Sequence, residues 1–99
     1  MGKVVLLVNV ELAADAREEY LAATGELKSR LQQMDGVDYC VYESGGKGPH
    51  TFTEMFTFDS ADTYEAFDDN DDDTTKGLFA RITDLASRPP RYTTLYEVG

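Results

Sequence analysis

Two hydrophobic periods follow one another along the chain. Val4–Val10 is apolar at every position but Asn9, the pattern of a central strand covered on both faces. From about Ala13 to Met34 the period lengthens. Tyr20, Thr24, Leu27, Leu31 and Met34 recur at alternating steps of four and three, one helical stripe facing a core. Gly25 lies inside this helix at a cost of up to about 1 kcal/mol relative to alanine, which predicts a close packing contact there. Gly36 is placed for a left-handed stop. Val37–Glu43 reads as a second strand, with Val37, Tyr39 and Val41 on one side and Cys40 and Tyr42 on the other. The glycine-rich stretch Ser44–Pro49 joins it to a third strand, His50–Phe58. There Phe52, Glu54, Phe56 and Phe58 alternate with Thr51, Thr53, Met55 and Thr57. Asp59 or Ser60 caps a short helix carrying Tyr64 and Phe67. The run Asp68–Asp73 interrupts it, and a helix from about Thr74 to Ser87 turns Leu78, Phe79, Ile82 and Leu85 inward. Pro89 and Pro90 end that helix, and Arg91–Val98 is the last strand.

The order β-α-β-β-α-β predicts an α+β, ferredoxin-like fold: a four-stranded antiparallel sheet with helices on one face. The 99 residues suit one domain spanning 1–99. Neither face looks made for water, with three phenylalanines opposite Met55 on the third strand and Tyr92, Tyr96 and Val98 opposite Leu95 on the fourth, so the face away from the helices would be an apolar patch that lone proteins avoid. A second copy stacked sheet to sheet covers it, so a homodimer is expected.

Charge and composition narrow the partners. There are 19 acidic and 9 basic residues, a net charge of −10. This excess argues against nucleic acid and against an anionic membrane surface, both of which need lysine and arginine. It acts either as a solubility device, of the kind that suits high salt, or as an attraction for a basic partner. No apolar run approaches the roughly 20 residues of a membrane span. Val4–Val8 lacks the flanks of a secretory signal. The single cysteine, Cys40, cannot close an internal disulfide. A soluble cytoplasmic protein is the expectation.

Candidate chemistry rests on a few side chains. Asn9 is the one polar residue of its strand, either satisfied structurally or reaching into a cavity. Glu54 sits among phenylalanines, where desolvation raises a carboxyl pKa and suits it to general acid or base work. The structural alternatives are a salt bridge at a dimer seam or an edge position open to water. His50 is the only histidine and follows Pro49 at a strand start, an exposed setting. One histidine without a cysteine partner predicts no zinc site. Cys40 has no activating histidine or lysine nearby in sequence and reads as a small hydrophobe. The Asp68–Asp73 run lacks the glycine and closing glutamate of a calcium loop and reads as a solvated acidic loop. Gly45–Gly48 joins two strands and opens no helix, so it is not a phosphate loop. Among the aromatic residues, Phe58, Tyr64 and Phe67 are candidates for lining a cavity that suits a planar organic ligand.

The stretch Phe58-Asp59-Ser60-Ala61-Asp62-Thr63-Tyr64-Glu65-Ala66-Phe67 and the turn at Gly36 resemble the dimeric α+β barrel superfamily, and within it the antibiotic-biosynthesis-monooxygenase-like proteins. The resemblance implies a homodimeric barrel with a small apolar pocket in each subunit and no cofactor. It implies a cofactor-independent oxygenase acting on an aromatic or polyketide-like compound. Asn9 would position oxygen, and Glu54 or His50 would transfer the proton. Phe58 stands where family members commonly carry tryptophan, and Phe67 where they often carry histidine; of the Asn, Trp and His that line the pocket in the haem-degrading branch, only Asn9 has a counterpart. These departures suit the alternative, a non-catalytic small-molecule-binding or stress-response module. A structural acidic dimer meeting a basic partner is the third reading.

Overall fold

The computed structural model describes residues 2–45, 51–69 and 73–99. His50, Gly46–Pro49 and Asn70–Asp72 lie outside the described residues. The elements are β1 (Val4–Glu11), α1 (Arg17–Leu31), β2 (Val37–Glu43), β3 (Thr51–Phe58), α2 (Ala61–Asp68), α3 (Asp73–Leu85) and β4 (Arg91–Tyr96). The sheet order is β2-β3-β1-β4, and every pairing is antiparallel. This is the ferredoxin-like α+β arrangement the periodicity predicts, with the second helical segment split in two.

Register sets which side chains face the helices. Val4, Val8 and Val10 of β1 stand opposite Phe58, Glu54 and Phe52 of β3. Tyr39 of β2 stands opposite Phe56. All of these side chains are buried, and α1 closes over them with Tyr20, Ala23, Leu27 and Leu31. The α1 stripe is therefore as the spacing predicts. Glu18 and Glu19 in its first turn, with Lys28 and Arg30 in its last, also complement the helix dipole. Ser60 is the α2 cap, its hydroxyl accepting from the Thr63 N–H at 3.2 Å. Gly36 has φ +80°, and a β-carbon there would press on the Asp59 carboxylate, so the turn requires glycine.

Three expectations are corrected. Helix α1 begins at Arg17 rather than Ala13, because the preceding residues are committed elsewhere. Leu12 bridges to Ala86, the Ala13 N–H donates to the Leu85 carbonyl, and Asp15 takes a left-handed φ of 67°. Gly25 marks no packing contact: its α-carbon faces open space on the exposed side of α1. Within the single chain the helices cover one face of β1, and Val5 and Leu7 lie half-buried and Asn9 exposed on the face where a second copy is expected. Strand β4 stops at Tyr96, and Val98 is fully exposed. Among the described residues no helix is long and apolar enough to cross a membrane.

Candidate functional site

Among the described residues Glu54 is the one carboxylate in the core. It lies mid-strand on β3 between Val8 of β1 and Val41 of β2, and it is 2% exposed. An unpaired carboxylate in such surroundings would be costly, and burial without partners is rare. Two phenols solve the problem. The Tyr20 hydroxyl, from the core stripe of α1, donates to Oε2 at 2.8 Å. The Tyr39 hydroxyl, from the diagonal position on β2, donates to Oε1 at 2.8 Å. Each phenol is anchored in turn by a ring contact, Tyr20 on Phe52 with centroids 4.7 Å apart and Tyr39 on Phe56 at 4.6 Å.

Burial pushes the Glu54 carboxyl up from its ordinary value of 4.5, while the two phenol hydrogen bonds pull it back. Tyr20 and Tyr39 are both driven upward, first by burial and then by the charge of Glu54. They are therefore neutral donors at any ordinary pH. Both structural alternatives for Glu54, a salt bridge and a water-exposed edge, are set aside by this geometry. The tyrosine partners were not singled out from the sequence. A buried tyrosine needs a partner for its hydroxyl, and that was the available signal.

Glu54 also borders a cavity of about 190 Å³ between the sheet and α3. Its walls are apolar, formed by Leu6, Val8, Phe56, Phe67, Phe79 and Ile82. Thr83, Pro90 and Tyr92 also line it, and the exposure of Thr83 and Tyr92 marks its open side. Phe56, Phe67 and Phe79 touch one another with centroids about 6 Å apart, so they form a continuous aromatic wall. A desolvated carboxylate beside an apolar void can take a hydrogen bond or a proton from an enclosed molecule.

The other candidates fall differently. Phe67 lines this cavity. Phe58 and Tyr64 do not; they pack on each other and Phe58 on Phe67, each pair 5.2 Å apart, at the end of β3. Asn9 is on the opposite face of the sheet, exposed, its side-chain oxygen accepting from the Thr53 hydroxyl at 2.8 Å. It borders a separate hollow with Glu11, Thr51, Arg88 and Arg91. Alternation along β1 is the reason: Val8 and Val10 point to the helices, so Asn9 between them cannot. The structure therefore does not bring Asn9 to Glu54. Cys40 lies half-buried on that same outer face. His50 lies outside the described residues. Among the described residues no group of three or more histidine, cysteine, aspartate or glutamate side chains could hold a metal ion.

Neither a family model nor a curated protein matches the sequence. Solved structures do match the fold over nearly its whole length. A conserved protein of unknown function from Bacteroides thetaiotaomicron, described as a possible oxidoreductase, superposes with a TM-score of 0.82 at 20% identity, covering 97% of this chain and 98% of its own. A candidate antibiotic biosynthesis monooxygenase from Caulobacter crescentus gives 0.85 at 14% identity, over 99% and 92%. Another from Nitrosomonas europaea gives 0.84 at 14%, over 99% and 93%. The chain shares with these proteins a ferredoxin-like α+β fold, its strand order and its helical layer, at identities too low to carry more than the fold.

Proposed function

We propose that this protein is a homodimer in which each subunit uses the Glu54 cavity to bind a small aromatic or enolisable compound and oxidise it without a cofactor. One observation carries the reading: a buried carboxylate, held in place by two neutral phenols, borders an apolar void. Glu54 takes a proton from a carbon beside the substrate carbonyl, and the resulting enolate passes electrons to oxygen. A peroxide forms on that carbon and loses water, so a CH2 group and O2 become a carbonyl and H2O. The chain's part is to desolvate the site, orient the substrate and accept the proton. The likeness in fold to candidate antibiotic biosynthesis monooxygenases supports the same class.

The outer face supports the proposed dimer. Leu95 and Tyr42 are half-exposed there, beside Val5, Leu7 and Met55, and a second copy stacked on this face would cover them. Asn9 then belongs to the interface region rather than to the cavity.

A second reading has a specific observation behind it. Both Glu54 oxygens already have donors, which suits a module that binds without turnover. Oxygen consumption over a panel of single-ring phenols and enolisable ketones separates the two. For the oxygenase, Glu54→Gln lowers the rate by about a hundred- to ten-thousandfold while ligand binding persists. Binding with no oxygen uptake by the wild-type protein on any compound would leave the binding module standing.

A further inference from the structure

The dimensions and lining of the Glu54 cavity specify its ligand more closely than oxygenase chemistry does. We propose that the cavity selects an uncharged single-ring compound bearing one hydroxyl donor, a phenol or an enol, which becomes a third hydroxyl on Glu54. The proposal rests on reading this cavity as the binding site, but not on turnover.

Size comes first. A closed apolar cavity of about 150 Å³ holds benzene. The void beside Glu54 is about 190 Å³, room for one substituted ring and not for a fused system. A second ring would have to project between Thr83 and Tyr92 into water, gaining little from the apolar walls.

Polarity comes second. Among the described residues the lining has no lysine, arginine or histidine, so none of them neutralises a carboxylate or phosphate. Glu54 would repel one directly. A ligand ammonium fits no better. It carries three donors, and besides Glu54 the described lining side chains offer oxygen acceptors only at Thr83 and Tyr92, on the open side. Buried donors left without acceptors are costly. A hydroxyl has a single proton to give. Each carboxylate oxygen has two acceptor positions, and Tyr20 and Tyr39 use one on each. A ligand hydroxyl therefore fits where a carboxylate or an ammonium does not, and its ring meets the wall of Phe56, Phe67 and Phe79.

The test is a binding panel on the wild-type protein: phenol, benzene, benzoate, benzylamine and 1-naphthol, followed by NMR titration near neutral pH. Phenol is expected to bind about tenfold more tightly than benzene, the effect of one hydrogen bond. It should also shift the signals of Phe67, Phe79 and Ile82. Benzoate and benzylamine should bind more weakly than phenol, and 1-naphthol no more tightly. Benzoate, benzylamine or 1-naphthol binding more tightly than phenol would overturn the proposal. So would phenol that binds no better than benzene, or that perturbs only residues remote from Glu54. Oxygen uptake is not part of this readout, so the selection can hold where the oxygenase reading fails. The Glu54→Gln variant, if folded, should cut the preference for phenol over benzene.

Discussion

Strand β3 has two faces, and they solve the same problem in opposite ways. Toward the helices, Phe52, Glu54, Phe56 and Phe58 are each no more than 2% exposed. On the other side, Thr51, Thr53, Met55 and Thr57 remain half-buried. One face is completed within the chain and is tight enough to require two phenols for its single carboxylate. The other is a mixture of threonines and apolar side chains that is left unfinished. The proposed chemistry uses the buried face, and the proposed association the unfinished one.

Breaking the inner face should cost most. Phe56→Ala removes a side chain that touches Tyr39, Phe67 and Phe79, and about 3–5 kcal/mol of stability should be lost in denaturant unfolding. Leu7→Asp on the outer face should instead lower the molecular mass in sedimentation from a pair to a single copy, with the fold retained.

Removing one donor from Glu54 is the next largest effect. Tyr39→Phe keeps the ring and deletes the hydroxyl, leaving a buried carboxylate short of a partner at a cost of about 1–3 kcal/mol. The loss should be greatest at high pH, where Glu54 is ionised, and its carboxyl pKa should rise further.

The buried carboxyl also makes stability depend on pH. Burial raises the folded pKa of Glu54 above its unfolded value, so the folded state holds the proton more tightly. Stability from this group is full below the unfolded value of about 4.5 and is lost as pH rises through the folded pKa. Nineteen acidic residues contribute to the overall curve, so the difference between wild type and Glu54→Gln isolates this one. Wild type should lose stability relative to the variant as pH climbs, and a flat difference curve would contradict the burial account.

The smallest effect lies away from both faces. Gly25→Ala places a methyl group in open space on the exposed side of α1 and should stabilise the protein by about 0.5–1 kcal/mol in thermal unfolding.

How far the sequence carries the structure depends on whether a feature is local. The strict alternation of β3 puts Glu54 on the face of the phenylalanines without saying whether that face meets helices or a partner, and the steps of four and three in α1 mark which residues it buries. Strand β1 is apolar on both sides, so no alternation marks its inner face, and Asn9 was as readable inward as outward. The late start of α1 depends on a bridge between Leu12 and Ala86, residues far apart in sequence. The hydroxyls of Tyr20 and Tyr39 meet one carboxylate from two elements, and no spacing along the chain encodes that meeting. Gly25 looked like a packing contact only because helix interiors seldom retain glycine without cause.

The central feature of the molecule is a buried carboxylate beside an apolar void. Carbon-13 NMR titration of the glutamate side chains, with the Glu54 signal assigned by its glutamine variant, reads that state directly. Glu54 should titrate at a pH clearly above that of the exposed glutamates and should move again when phenol is added. A Glu54 carboxyl that titrates together with the surface glutamates, unmoved by phenol, would contradict both the buried site and the chemistry built on it.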